Sequence, residues 1–132
     1  MIKRLKSKIS YNKSGYLAEF ICRMYMRLNG YSILAKNYRC DTGKKTPYGE
    51  IDFIAKKNKR LYFCEVKKRN NDKDFLSAIS LKQQQRIVNG SFFFIKQHKE
   101  YSSYPIQFDV FFVKLPFSIK RIKNAFVYNK VY

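Results

Sequence analysis

Three carboxylates and one lysine lie close together in the middle of the chain, at Glu50, Asp52, Glu65 and Lys67. Carboxylates bind hard cations such as Mg²⁺, usually one or two of them, with water and substrate phosphate oxygens as the remaining ligands. Such a cation polarises phosphoryl oxygens and lowers the pKa of its bound water. These residue types therefore indicate metal-dependent hydrolysis of a phosphate ester.

Two strand-like runs must position these four residues. They are separated by the polar sequence Lys-Lys-Asn-Lys-Arg, which predicts a β-hairpin. With a two-residue loop at 58–59, or with a four-residue loop, Asp52 stands directly opposite Glu65, and Glu50 opposite Lys67. Because side chains alternate between faces, all four emerge on one face of the sheet. A loop of three or five residues would shift the register by one and break this opposition.

Two opposed carboxylates require something to neutralise them. Opposed residues have Cβ atoms about 4.5–5.5 Å apart, and two charges at ~5 Å repel by roughly 3 kcal/mol at an effective dielectric near 20. A proton, Lys67 or a divalent cation would each remove this repulsion. The alternative is a solvated sheet face on which Glu50 and Lys67 form a surface ion pair that contributes little.

The overall charge indicates an anionic partner. The chain has 132 residues, enough for one domain with a modest core, and 28 basic against 9 acidic residues give a net charge of +19. Nucleic acid is the leading candidate, because phosphate contacts by Lys and Arg supply most non-specific affinity. A membrane surface would need a basic amphipathic helix or a lipidation site, and neither is evident in the sequence.

Cysteine usage and hydropathy indicate a cytoplasmic protein. Cys22, Cys40 and Cys64 are scattered, which argues against a disulfide framework or a zinc site and favours a reducing compartment. No apolar run approaches the length of a membrane span, and the basic start of the chain lacks the apolar core of a signal peptide.

The first part of the chain is predicted to be a basic arm followed by a helix. Residues 1–13 contain several basic residues and no acid, and they form either a loose arm that contacts phosphates or a frayed terminus. Residues 14–132 are predicted to form a single domain. A helix over 14–28 has apolar residues at helical spacing, which predict its buried face: Leu17, Phe20, Ile21, Met24 and Leu28. Glu19 lies off this stripe, so periodicity alone describes it as a surface glutamate.

A second helix is predicted to begin after Ser80, which forms a capping box with Gln83, and to run to about Gln97. Asn89 and Gly90 could end it early, but a continuous helix that tolerates Gly90 at a cost of roughly 1 kcal/mol is favoured.

Four basic residues outside the hairpin are candidates for phosphate contacts. Lys44 and Lys45 stand in a polar loop, where they face either substrate or water. Lys82 and Arg86 share an exposed side of the second helix, where they contact either phosphates or solvent.

The remaining segments predict further strands. A first strand covers 31–39 with a bend at Asn37, and later strands cover 105–113 and 125–128. Asp109 is predicted to be structural and to pair with a nearby Lys or Arg. The order of one helix, three strands, one helix and one or two strands is that of a single α/β layer domain.

The hairpin resembles the core of the PD-(D/E)XK nuclease superfamily, in which an acidic residue on one strand precedes Glu-x-Lys on the next. Over nearly its whole length the chain is similar to the YraN-like family of small bacterial proteins, predicted endonucleases that resemble Holliday junction resolvases. The matching residues follow in order: Gly15 and Glu19, Gly30-Tyr31, Asn37-Tyr38-Arg39, Gly49 to Asp52, Glu65 to Lys67, Lys82 and Arg86, Phe108-Asp109, and Asn124 to Phe126.

This resemblance implies a restriction-endonuclease-like core, a mixed central sheet flanked by helices. It further implies that Asp52, Glu65 and the Val66 carbonyl hold Mg²⁺ or Mn²⁺, with Glu19 as a direct or water-mediated ligand. Lys67 would orient or deprotonate the attacking water, and Glu50 would hold Lys67 in position. The implied substrate is branched or otherwise structured DNA, and the resolvases of this fold act as homodimers. The alternative is a nucleic-acid-binding protein without catalytic activity.

Overall fold

The computed structural model describes residues 2–41, 43, 47–68, 79–115 and 118–128, and for residues 2–14 it describes the backbone alone. The elements within these ranges are α1 Ile2–Leu28, β1 Ser32–Cys40, β2 Gly49–Lys57, β3 Arg60–Lys68, α2 Leu81–Gln97, a 3₁₀ helix Lys99–Tyr101, β4 Ile106–Lys114 and β5 Ser118–Ile122. The strands form one mixed sheet in the order β1-β2-β3-β4-β5, in which only β3 and β4 run parallel. The predicted α/β class is confirmed, and the architecture is compatible with a restriction-endonuclease-like core.

The helices cover opposite faces of the sheet. On one face, α1 packs on a cluster that contains Phe53, Cys64 and Phe111. On the other face, Ile87, Val88 and Phe94 of α2 pack on a cluster with these strand residues: Ile51, Ile54, Leu61, Phe63 and Phe108. The sheet is therefore buried on both sides near its centre, and the carboxylates of β2 and β3 lie within this layered core.

The predicted hairpin is confirmed. The two loop residues at 58 and 59 both adopt left-handed backbone angles, with φ of 51° and 59°, as a two-residue type I′ turn requires. The register runs from the pair Lys57–Arg60 to the pair Phe53–Cys64, as a two-residue loop predicts.

The buried face predicted for α1 is wrong. Leu17, Phe20 and Leu28 are 49%, 50% and 81% exposed, and the residues that contact the sheet are Ala18, Cys22 and Met26. Small side chains at two of these positions let the helix approach the sheet closely, so the larger apolar residues on the other side face outward. This rotation brings Glu19 to the edge of the buried face.

The helix also begins earlier than predicted. The backbone is helical from Ile2, so residues 2–13 continue α1. The division of the chain into a basic segment 1–13 and a domain 14–132 stays a prediction. None of the helices in the described ranges is long and apolar enough to cross a membrane.

The last predicted strand is also wrong. Residues 125–128 are not in a strand, whereas Ser118–Ile122 forms β5 at the edge of the sheet. The sequence Ser-Ile-Lys-Arg-Ile conceals this strand because an edge strand tolerates charged residues. Ala125 instead donates its backbone N–H to the Phe108 carbonyl at 2.9 Å, and Phe126 stacks on Phe108.

The second helix is continuous through Gly90, as predicted. Ser80 caps the helix by accepting a hydrogen bond from the Gln83 N–H at 3.1 Å. Gly90 also packs closely against β2. A Cβ atom at Gly49 would lie 2.6 Å from the Gly90 nitrogen, and one at Gly90 would lie 2.9 Å from Ile51 Cδ1. The backbones of α2 and β2 therefore meet directly, which brings the helix onto the strand that carries Asp52.

We expect Gly49→Ala to destabilise the chain, because the new methyl group meets the α2 backbone and not a flexible side chain. The expected loss is about 1–3 kcal/mol in the free energy of unfolding, measured by urea denaturation. Gly15→Ala is the matched control, because a Cβ atom there has no neighbour within 4 Å and alanine favours the helix by up to about 1 kcal/mol. Equal stability of the two variants would contradict the close approach.

Candidate active site

The backbone pairing of β2 and β3 ends at Phe53 and Cys64. Beyond this pair, the Asp52 side chain takes part in joining the two strands. Its Oδ2 accepts a hydrogen bond from the backbone N–H of Val66 at 2.7 Å. The Glu65 and Asp52 carboxyl groups lie within hydrogen-bonding reach of each other, and the proton is favoured on Glu65. The predicted proximity of Asp52 and Glu65 is therefore present in the structure as a direct contact between their side chains.

A change of backbone direction on β1 accompanies this arrangement. The β1–β2 pairs on either side of Asn37 place this residue opposite Asp52. Asn37 has a left-handed backbone with φ of 50°, so the predicted bend is confirmed. Ile51 and Ile54 both pack in the cluster beneath α2, although strict alternation would put residues three apart on opposite faces. The alternation is thus interrupted at Asp52, which turns its carboxylate towards β3.

Burial and mutual repulsion make protonation of these carboxylates easier. Burial, together with the negative charge of Asp52, raises the pKa of Glu65 from 4.5 to about 9. Burial also raises the pKa of Asp52 above its ordinary value, while the Val66 N–H opposes the rise. Within the chain itself, a proton on Glu65 and the Lys67 ammonium group neutralise the pair.

Lys67 is paired differently from the prediction. Its Nζ lies 3.6 Å from Glu65 Oε1, and both side chains are mostly buried. The ion pair predicted between Lys67 and Glu50 does not occur within 4.0 Å in the described residues. The reason is that the strands no longer pair beyond Phe53–Cys64, so Glu50 does not stand across from Lys67. Lys67 therefore acts on the Asp52–Glu65 pair directly.

Glu19 joins these carboxylates from α1. Burial, and then the charge of Asp52, raise the pKa of Glu19 from 4.5 to about 7, against the opposing effect of Arg23. Glu19 Oε2 lies 3.9 Å from Arg23 Nη1. Both atoms are buried and have no hydrogen-bond partner among the described residues. Glu19 is therefore not the surface glutamate that periodicity alone suggests.

The donor atoms fit a hard divalent cation. Glu19 Oε2 is an acceptor buried without a partner, and such an atom is satisfied when it binds a cation or its water. In the part of the chain that the structure describes, no three His, Cys, Asp or Glu side chains converge as a complete metal site. Mg²⁺ requires only one or two carboxylates and keeps several waters, so the chemistry of the Asp52–Glu65 pair fits this ion.

A cleft of about 240 Å³ opens above the carboxylates. Its walls are formed by Glu50, Asp52 and Glu65 from the hairpin and by Gln83, Arg86 and Ile87 from α2. Arg86 is thus placed beside the carboxylates, whereas Lys82 is exposed one turn earlier on the helix. Lys44 and Lys45 lie outside the described residues.

Sequence reasoning missed the position of Gln83 in the cleft wall. Its place after Ser80 indicated only a helix cap. The available signal was the spacing of residues 83, 86 and 87, which share one helix face.

Asp109 lies in the core and outside the cleft wall, and its predicted pairing with a basic residue is confirmed. Its Oδ2 accepts hydrogen bonds from Arg121 Nη2 at 2.7 Å and Nε at 3.0 Å. Its Oδ1 accepts from Gln107 Nε2 at 2.8 Å and from the Asn124 N–H at 3.1 Å. Asp109 thereby ties β5 and the turn after it to β4.

We expect the raised pKa of Glu65 to give the chain an unusual pH dependence when a chelator is present. A raised carboxyl pKa stabilises the folded state fully below about pH 4.5, and this contribution is lost as the pH rises towards 9. The free energy of unfolding should therefore fall between pH 5 and about 9 in the wild type, and fall less in Glu65→Gln. Parallel curves for the two proteins, measured by urea denaturation, would contradict the shift.

Comparisons with known proteins identify the relatives of this chain. A family model described as "Uncharacterised protein family UPF0102" matches residues 18–113. A UPF0102 protein of Ehrlichia ruminantium is 37% identical over 93% of this chain and 91% of its own length. A UPF0102 protein of Lachnoclostridium phytofermentans is 42% identical over 77% of this chain and 82% of its own length. The resemblance to the YraN-like family is confirmed.

Proposed function

This chain belongs to the uncharacterised protein family UPF0102, and on that premise we propose that it is a divalent-metal-dependent nuclease. The reaction would be hydrolysis of a phosphodiester within branched or otherwise structured DNA. The observation that supports the proposal most strongly is the Asp52–Glu65 carboxyl pair with Lys67 Nζ 3.6 Å from Glu65. A chain that only built a sheet would not bury two carboxylates against each other, because like charges opposite one another are destabilising.

The chain's own oxygen atoms would hold Mg²⁺ or Mn²⁺. Asp52, Glu65 and the Val66 carbonyl are the proposed ligands, with Glu19 acting directly or through water. When bound, the cation would polarise the scissile phosphate and make hydroxide available near neutral pH. The proton on Glu65 would have to leave as the cation binds, so metal affinity should rise with pH.

The basic residues would act on the substrate. Lys67 is close enough to the carboxylates to orient the attacking water or to donate to the oxygens that become charged in the transition state. Arg86 in the opposite wall of the cleft is suited to hold the phosphate by two parallel hydrogen bonds. Lys44, Lys45 and Lys82 are proposed to contact phosphates further away, and the net charge of +19 favours such contacts.

A homodimer and a cytoplasmic location remain part of the proposal. The outer face of α1 supports a dimer, because Leu17, Phe20 and Leu28 are large apolar side chains exposed along one helix. An exposed apolar surface of this kind is a common site of protein association. Tagged and untagged chains are mixed and purified through the tag. Absence of the untagged chain from the purified sample would exclude the dimer.

Cleavage assays on a panel of DNA structures test the nuclease directly. Linear duplex, single-stranded, flapped and four-way DNA are incubated with the wild-type chain and increasing Mg²⁺ or Mn²⁺. The proposal predicts cutting of at least one branched form that stops when a chelator is added. Binding without cutting at every metal concentration would favour the alternative, a non-catalytic nucleic-acid-binding protein. The lack of three converging carboxylates among the described residues is the observation that favours this alternative.

A further inference from the structure

An exposed aromatic residue precedes the strand that forms one wall of the carboxylate cleft. Tyr48 immediately precedes β2 and is 53% exposed. It is two residues from Glu50 in the cleft wall, a separation of about 7 Å at the rise of an extended chain. A planar apolar surface is therefore presented to solvent within one nucleotide's reach of the carboxylates.

The backbone that carries this ring is fixed on both sides. The Tyr48 N–H donates to the Cys40 carbonyl at 2.9 Å. The Tyr48 carbonyl accepts a hydrogen bond from Asn89 Nδ2 at 3.1 Å. The next residue, Gly49, meets the α2 backbone at Gly90. Because the backbone is already fixed, only the rotations of the side chain are lost when the ring binds a ligand, which favours affinity.

The surroundings of the Tyr48 ring differ from those of two other exposed tyrosines. Tyr25 packs edge-on against Phe111, and Tyr128 packs edge-on against Phe92. Among the residues that the structure describes, no aromatic ring or cation packs on Tyr48 in this way.

The neighbouring face of α2 has the composition of a surface that binds single-stranded nucleic acid. Arg86, Asn89 and Phe93 stand at positions i, i+3 and i+7, so they follow one another along one side of the helix. Arg86 lines the cleft, Asn89 contacts the Tyr48 backbone, and Phe93 is 42% exposed. Aromatic rings beside cations are the means by which proteins bind unpaired nucleotides, because bases stack on the rings while the backbone follows the positive charge.

We propose that Tyr48 forms a stacking subsite for an unpaired nucleobase next to the phosphodiester held in the carboxylate cleft. This inference rests on the proposed function and adds the class of substrate, namely DNA with an unpaired nucleotide adjacent to the cut. Bases inside a duplex already stack on their neighbours, so they are not available to Tyr48. A flap, a branch point or a single strand provides the free base.

The subsite is tested with single-stranded oligonucleotides that contain 2-aminopurine, a base whose fluorescence is quenched by stacking. All variants carry Asp52→Asn so that the DNA stays intact, and binding is measured by fluorescence anisotropy. The parent should quench 2-aminopurine at one position of the oligonucleotide. Tyr48→Ala should lose the quenching and bind about 5- to 100-fold more weakly, whereas Tyr48→Phe should retain both. On an oligonucleotide with an abasic site at that position, parent and Tyr48→Ala should bind equally.

Tyr128→Ala is the matched control, because Tyr128 is 40% exposed and its ring packs against Phe92; it should leave quenching and affinity unchanged. Equal quenching and affinity in the parent and Tyr48→Ala would overturn the subsite and leave the nuclease proposal standing. Failure of the parent and of the wild type to bind single-stranded, flapped and four-way DNA alike would overturn both proposals together. Tyr48→Ala should unfold at the same temperature as the parent, which would show that a loss of binding is not a loss of folding.

Discussion

Asp52→Asn and Glu65→Gln are each expected to abolish metal-dependent cleavage while DNA binding is kept or becomes tighter. Loss of a partner outside the ligand sphere already lowers metal affinity or activity about 10- to 100-fold, so loss of a direct carboxylate should reduce the rate by more than about 100-fold. Binding should not fall, because Asp52→Asn removes negative charge from a site that receives phosphate, and Glu65→Gln removes the charge that Glu65 would have when the cation is bound. The rates are measured on whichever branched DNA the wild type cuts best.

Two exposed acids provide matched controls for these substitutions. Asp41→Asn changes a residue of an exposed ion pair with Arg39, and Glu100→Gln changes an exposed residue of the 3₁₀ helix. Both variants should cleave at the wild-type rate. Undiminished cleavage by Asp52→Asn and Glu65→Gln would contradict the assignment of these carboxylates, whereas a loss in all four variants would indicate a general effect of charge.

Asp109→Ala is expected to cause the largest loss of stability. It leaves the Arg121 guanidinium group, whose side chain is 9% exposed, without its carboxylate. Breaking a buried ion pair from one side costs about 3–5 kcal/mol, because the remaining charge stays buried without compensation. Urea denaturation should therefore show a much lower midpoint for Asp109→Ala than for the wild type.

A double substitution separates this charge effect from simple loss of packing. Asp109→Leu with Arg121→Met removes both charges and should be more stable than either single variant, since a buried pair is often replaced by apolar residues at little cost. Arg39→Ala breaks the exposed pair with Asp41 and should change stability by less than about 1 kcal/mol. Additive losses in the double variant would refute a buried pair at Asp109 and Arg121.

The hairpin could be predicted from sequence because its determinants are local. A short polar turn and two apolar runs fix the register, and the observed pairs from Lys57–Arg60 to Phe53–Cys64 follow it. The separation of the strands beyond Phe53 could not be predicted in this way. It depends on the left-handed backbone of Asn37 in a different strand and on an Asp52 side chain that bonds the Val66 N–H, and both are tertiary features.

The position of Glu19 illustrates a different limit. Apolar side chains occupy both sides of α1, so periodicity selected the side with the larger residues. The side that contacts the sheet instead has Ala18 and Cys22, because a helix close to a sheet has room only for small residues there. The family resemblance, and not periodicity, placed Glu19 in the acidic set. Gly90 was similarly interpreted as a tolerated residue, whereas β2 approaches it so closely that an added Cβ atom would lie 2.9 Å from Ile51 Cδ1.

Direct measurement of metal binding tests the central claim without any assumption about the substrate. Mn²⁺ is titrated calorimetrically into the wild-type chain, into Asp52→Asn and Glu65→Gln, and into Asp41→Asn as the control. Two buried carboxylates in contact predict one saturable site per chain in the wild type and in Asp41→Asn, and no such site in the other two proteins. No saturable binding by the wild type, or binding that survives both substitutions, would contradict a metal site at Asp52 and Glu65.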